Sequence, residues 1–285
     1  MTASLIDGAL ISRRLLDGLR PRVAALASRG ITPGLAAILV GENAASEVYV
    51  RNKIRACADL GLKSEVHRLE ADCSEAQLLA LVHRLNREPS IHGVLLQLPL
   101  PAHLDAEGIT REIIASKDVD GFSWENLGAL VAGQPQLAPC TALGVMAMMD
   151  HERISIEGAN AVVVGRSVAV GKPTALMLIS RGATVTVCSS KTRDLARHTR
   201  DADIVVVATG RPGTVTGDML KPGAAVFDVG INRLSDGKIT GDVDFASASL
   251  VASCITPVPG GVGRMTVAAL IENTVRAAEQ CSAAP

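Results

Sequence analysis

Short, almost wholly apolar runs recur along this chain, and patterns of helical periodicity separate them. Leu35–Val40, Gly93–Leu98, Ala161–Gly165, Ile204–Ala208 and Ala224–Val229 are the clearest, with Ser64–Leu69 and Thr184–Cys188 more mixed. Runs this apolar suit strands buried on both faces, which belong to parallel sheets. Parallel neighbours need long crossover connections, usually helices. The alternation therefore predicts an α/β protein. With 285 residues, the chain is too long for one ordinary compact unit and suits two such domains.

Helices are expected over about Ala44–Leu60, from Ser74, and over Thr141–Met149, Gly171–Arg181 and Met265–Glu279, with another from about Arg193. Ser74 and Gln77 have the spacing of a capping box, and Thr141 stands where a cap would. Asp236-Gly237 marks a hairpin turn. The turn-rich stretch Pro135–Thr141 places a boundary near residue 140. The domains read as 1–140, joined by the C-terminal helix region 265–285, and 141–264.

Bulk properties narrow the function classes. Formal net charge is −1 with no run of like charge, which argues against a nucleic-acid or membrane-surface protein. The first twenty residues carry charges and glycines inside their apolar pattern, unlike a signal peptide or a membrane span. No later apolar run approaches the ~20 residues a membrane helix needs. The six cysteines and six histidines are scattered without ligand spacing. They read as buried thiols in a reducing compartment and as no metal centre. A cytoplasmic protein is the expectation.

Four places carry chemistry. Tyr49 precedes Lys53 by one helical turn in SEVYVRNK, so a phenol and an amine share a helix face. Tyr49 is the only tyrosine, and Lys53 stands between two arginines in a chain with 21 Arg and 7 Lys. The octapeptide alone fits an exposed basic face equally well. Gln97 closes the run GVLLQ at the end where open α/β sheets present ligand-binding groups, although an amide there also serves as a simple strand-end filler. Asp118 and Asp120 bracket Val119 before Gly121, without the further acids of a calcium loop. One carboxylate capping a turn and one binding a polar heterocycle are both open.

The fourth place is AVVVGRSVAVGKP, a strand, a glycine turn and a helix start. Gly165 permits the turn, and the helix N-terminus behind it offers amides to a phosphate. The run is not G-x-G-x-x-G, and it fails as a P-loop because five residues separate Gly165 from Gly171 and Pro173 follows Lys172. An NAD site of this kind expects an acid about 20 residues on. Here stand Ser189, Ser190, Lys191 and Thr192, with Arg166 in the turn, a set that favours a 2′-phosphate and hence NADP.

SEVYVRNK, GVLLQLPLP, KDVDGF, PCT, GRSVAVGKP, FDVGIN, GDV and ITPVPGGVG follow one another in order. In these the chain resembles the bifunctional methylenetetrahydrofolate dehydrogenase/methenyltetrahydrofolate cyclohydrolases, from near residue 5 to near 279. The resemblance implies two α/β domains with a cleft between them, the second a Rossmann-like NADP-binding domain. It implies NADP-dependent oxidation of 5,10-methylenetetrahydrofolate and hydrolysis of the methenyl product to 10-formyltetrahydrofolate, with tetrahydrofolate one-carbon derivatives as ligands and a homodimer as assembly. By position, Lys53 would be the central catalytic group, Tyr49 would stack on the aminobenzoyl region, and Gln97 would hydrogen-bond Lys53. Asp120 would bind the pterin, and Pro259 and Gly260 would line the folate cleft. Gly165, Arg166, Ser167, Ser190 and Ile231 would form the cofactor site. A lysine beside the methenyl cation must be at least partly neutral, and Arg51 and Arg55 would push it that way.

Three departures from the family pattern stand out. Ala142 follows PCT in place of proline, Ser189 stands in place of histidine, and Arg264 replaces proline after PGGVG. Arg264 keeps open a relative with the dehydrogenase alone or an altered cyclohydrolase. A nucleotide-sensing module without chemistry is the reading from another class, and the presence of Lys53 and Asp120 speaks against it.

Overall fold

The structure, a computed structural model, describes residues 2–283. In chain order its strands are β1 (Ser4–Leu5), β2 (Gly34–Val40), β3 (Lys63–Leu69), β4 (Gly93–Leu96), β5 (Asn160–Val164), β6 (Thr184–Cys188), β7 (Ile204–Val207), β8 (Ala225–Asp228), β9 (Asn232–Arg233), β10 (Ile239–Thr240) and β11 (Cys254–Ile255). The helices are α1 (Gly8–Ser28), α2 (Ala44–Asp59), α3 (Glu75–Arg87), α4 (Ala106–Arg111), α5 (Trp124–Val131), α6 (Cys140–His151), α7 (Gly171–Ser180), α8 (Leu195–Thr199), α9 (Phe245–Ala248) and α10 (Val262–Ala283). The chain divides into two compact units, Met1–Arg13 with Thr141–Thr266, and Arg14–Cys140 with Val267–Pro285.

The first of these holds a six-stranded parallel sheet in the order β1-β11-β8-β7-β5-β6. Val162, Val164, Val205, Val207 and Val226 belong to its core. The chain order turns back at β5, with β6 on one side and β7 on the other, so a topological switch point lies where β5 and β7 end. The hairpin at Asp236-Gly237 joins the antiparallel pair β9 and β10.

In the other unit β3, β2 and β4 form a parallel sheet. Ile38, Leu78, Val82 and Leu96 join its core. Ser74 and Gln77 form the capping box of α3, each side chain taking the other residue's backbone N–H.

Three expectations need correction. Residues 1–13 group with the six-stranded sheet, because Ser4 and Leu5 pair with Cys254 and Ile255. So short a strand carries no periodic signal that would betray its partner. Thr141 lies inside α6, which begins at Cys140, and does not cap it. Five cysteines are buried, but Cys281 is exposed.

Candidate active site

Among the residues of α2 whose burial is described, Ser46, Val50, Lys53 and Cys57 are buried, spaced four, three and four apart. That is the stripe a helix turns toward a core. Lys53 thus occupies an inward position with 9% of its surface exposed, while Arg51 and Arg55 face solvent, where water screens them. A lysine amine so placed needs a partner. Nζ donates to Gln97 Oε1 at 3.2 Å. Gln97 Nε2 donates to the Leu98 carbonyl at 2.8 Å, which leaves the amide oxygen for the lysine. Gln97 stands one residue past β4, and its backbone N–H still bonds Ile38 O at 3.0 Å, so the sheet itself carries it. Tyr49, one turn before Lys53, is exposed and has no place in the core.

The two aspartates divide their work. Asp118 is 1% exposed, and a backbone bridge to Val94 lays its loop along β4. Its carboxylate accepts from Gly121 N at 3.0 Å, Ser123 N at 2.6 Å and Asn126 Nδ2 at 3.2 Å. It is spent on folding the loop. Asp120 is half-buried in a recess it shares with Leu96, Leu98 and Phe122. Burial raises its carboxyl above the ordinary range, the Lys53 charge pulls it back, and Asp118 pushes it up again. Lys53, Gln97 and Asp120 therefore belong to one small constellation. Gly121 holds the loop at a φ of 77°, and a Cβ there would lie 2.4 Å from the Ala138 carbonyl carbon. No other residue fits.

In the six-stranded unit, the named cofactor residues gather at strand ends. Gly165 follows β5 at the switch point, and its missing side chain lets Ala208 O approach to 2.1 Å of where a Cβ would stand. Gly171 is pressed against Gly165 O in the same way, also at 2.1 Å. This is a cradle that side chains would fill. Ser167 Oγ accepts from Val170 N at 3.2 Å and Gly171 N at 3.4 Å, so it satisfies the opening amides of α7, and the expected supply of free amides for a phosphate is smaller than the sequence implied. Ser189 Oγ accepts from Lys191 N at 3.2 Å and shapes its own turn. Arg166, Ser190, Lys191 and Arg193 are exposed, and the first acid, Asp194, caps α8 through Arg197 N. The donors match a dinucleotide carrying a 2′-phosphate. Ile231, after β8, is exposed, with Gly263 against its side chain. Pro259 and Gly260 precede α10, after a cis Val258–Pro259 bond.

Residues 6–120 match the family described as tetrahydrofolate dehydrogenase/cyclohydrolase, catalytic domain, and residues 139–282 match its NAD(P)-binding domain. The chain belongs to the tetrahydrofolate dehydrogenase/cyclohydrolase family. The bifunctional protein FolD of Bordetella avium is 59% identical over 280 residues, covering 98% of this chain and 99% of that protein. FolD of Burkholderia thailandensis is 58% identical over 284 residues, with full coverage of both chains. Among solved structures, the Campylobacter jejuni methylenetetrahydrofolate dehydrogenase/cyclohydrolase superposes with a TM-score of 0.95 at 48% identity, covering 98% and 99% of the two chains. The Trypanosoma brucei enzyme, solved with NADP cofactor and inhibitor, gives 0.94 at 38% identity over the full length of both.

Within this family, two further residues bear on the site. Cys140 is buried, and its thiol donates to Val119 O at 3.1 Å. Burial lifts that thiol well above its usual range, with Asp120 adding to the effect. Asn273, on α10, is fully buried; its Nδ2 donates to Val119 O at 2.8 Å and Ala138 O at 2.9 Å. It fastens the residue beside Asp120 to the strand of backbone before Cys140. An asparagine inside the apolar window AALIENTV was the available signal. Arg264, the family's proline position, lies exposed in the first turn of α10, and its guanidinium has no hydrogen bond or ion pair among the described residues.

Proposed function

We infer that this chain oxidises 5,10-methylenetetrahydrofolate to the 5,10-methenyl form with NADP and hydrolyses that product to 10-formyltetrahydrofolate. The observation that carries the reading is the inward Lys53, hydrogen-bonded to Gln97 and electrostatically coupled to Asp120, in a member of this family. NADP, when bound, accepts the hydride that leaves the one-carbon bridge. Gly165, Arg166, Ser167, Ser190 and Ile231 are proposed to hold it.

The protein's own residues account for the rest. Tyr49 offers an exposed ring for stacking on the aminobenzoyl group. The Asp120 carboxylate accepts adjacent N–H donors of the pterin, as an ionised acceptor does well. Loss of hydride leaves a cation shared by N5, carbon and N10. Lys53 Nζ takes a proton from the water that adds to this carbon. The carbon–N5 bond then breaks, N5 is protonated, and the formyl group stays on N10 with one proton released in total. Gln97 fixes the lysine's direction throughout.

The same reading makes the chain a cytoplasmic homodimer. β6, at one end of the six-stranded sheet, leaves an exposed edge for a second copy to cover. The test supplies methylenetetrahydrofolate with NADP or NAD and follows reduced cofactor and methenyl product together. Formation and enzyme-accelerated decay of methenyl are expected with NADP. Methenyl that accumulates and decays only at its spontaneous rate removes the hydrolytic half, and no turnover with either cofactor removes the oxidative half.

A further inference from the structure

FDVGIN and GDV carry two aspartates, Asp228 and Asp242, besides Ile231. Their aspartates are among the most deeply buried charges in the chain, Asp228 at 4% and Asp242 at 0% exposure. The two motifs interlock. A Cβ on Gly241 would stand 1.9 Å from Asp228 Oδ2, and a Cβ on Gly230 would stand 2.2 Å from Asp242 Oδ1. Each carboxylate therefore fills the place of the other motif's missing side chain.

Both are saturated with donors. Asp228 accepts from Gly230 N, Asp242 N and Val243 N, each at 2.9 Å. Asp242 Oδ2 accepts from Thr209 N at 2.5 Å, Thr209 Oγ1 at 3.0 Å and Gly210 N at 2.9 Å, while its Oδ1 accepts from Asn232 Nδ2 at 2.8 Å. Thr209, Gly210 and Gly230 lie on the loops that follow β7 and β8, Asn232 opens β9, and Asp242 and Val243 follow β10. Those loops sit at the carboxyl ends of parallel strands beside the switch point, where such sheets bind their ligands. Ile231 stands between two anchored neighbours, Gly230 and Asn232, and is itself half exposed.

We propose that Asp228 and Asp242 are the positioning residues of the cofactor site, a pair of interlocked carboxylates that fixes the Thr209–Gly210 and Gly230–Asn232 loops and so presents Ile231. The proposal rests on the NADP reading above. It also assigns the glycines of both motifs, since any side chain at 230 or 241 would displace a carboxylate.

The test uses the full-length protein and its two reactions. In Asp242→Asn one acceptor becomes a donor facing N–H groups. NADP binding, titrated calorimetrically, should weaken roughly tenfold or more, the factor that about 1.4 kcal/mol gives. Hydrolysis of methenyltetrahydrofolate, measured without NADP, should stay within about twofold of the parent when normalised to folded protein; that tolerance is set well inside the tenfold effect expected for lost charge-assisted bonds. A purely structural role would lower both in step with the folded fraction. Thr209→Val removes one donor to Asp242 and gives a smaller, about threefold, loss of NADP affinity, so the proposal stays testable if the first variant does not fold. A folded Asp242→Asn variant with parental NADP affinity overturns the proposal, as does an unaffected Thr209→Val should the first variant fail to fold. A parent chain that binds no NADP overturns instead the reading beneath it.

Discussion

Replacing Lys53 with methionine tests the centre of the proposed chemistry. Methionine has nearly the length of lysine and suits the inward stripe of α2 formed by Ser46, Val50 and Cys57. Its apolar burial offsets part of the cost of leaving Gln97 Oε1 and the Asp120 carboxyl without their cation, about 1–3 kcal/mol for a lost buried partner. Melting temperature should therefore fall by less than ~12 °C, at about 2–4 °C per kcal/mol for units of this size. Hydrolysis should fall by about 10²- to 10⁴-fold, the usual worth of a positioned general base. The variant also changes the pH response. Lys53 lowers the Asp120 carboxyl, so removing it lets that group rise further. Asp120 then loses its charge at a higher pH on acidification, and the folate KM should climb earlier than in the parent. The assay follows decay of methenyltetrahydrofolate against its spontaneous rate, with NADPH formation from methylenetetrahydrofolate measured beside it. A folded Lys53→Met protein that hydrolyses at near the parental rate refutes the assignment.

Three further outcomes separate neighbouring roles. Asp118→Asn should cost about 2 kcal/mol of stability, read as a lower urea midpoint, because its three acceptor bonds fold the loop; Asp120→Asn should leave the midpoint nearly unchanged and raise folate KM at least tenfold. Arg264→Pro returns the family residue to an exposed first-turn position at the loss of the Arg264 N–H bond to Gly261 O, and the ratio of the two activities should change less than about threefold; a tenfold change would mean the guanidinium is felt at the chemistry. Burial lifts the Asp228 carboxyl to about 6, above its ordinary 3.8. Between those values the folded chain holds more protons than the unfolded one, so this group's contribution falls as pH rises, by about 2–3 kcal/mol in all. Urea midpoints of the parent and Asp228→Asn, compared from pH 4 to 6, should differ in slope, the parent losing more stability as pH rises than the variant.

Much of the fold was legible because buried parallel strands announce themselves as continuous apolar runs, and Thr184–Cys188 was placed to the residue. The Ser74–Gln77 box and the Asp236-Gly237 hairpin were readable because each is a local bond between neighbours. Ser4–Leu5 and Cys254–Ile255 were not. Two-residue strands exist only by virtue of their partners across the sheet. At the site, residue types drew attention to Lys53, to Gln97 and to the pair Asp118 and Asp120, but which aspartate folds the loop depends on where the amides of Gly121 and Ser123 point. Asn273 and Cys140 work through the Val119 carbonyl, a backbone atom with no sequence signature.

The pairing of β1 with β11 has a consequence for biosynthesis. Ser4 leaves the ribosome first, yet its partner Cys254 is made some 250 residues later, roughly 10–50 s at ordinary rates of synthesis. Neither compact unit is a continuous stretch of chain, since one needs residues 1–13 and the other needs the segment from Val267. Translation therefore releases no finished piece along the way. A clone cut at residue 140 would deprive each product of part of its own unit, so the two halves are expected to regain structure only when co-expressed.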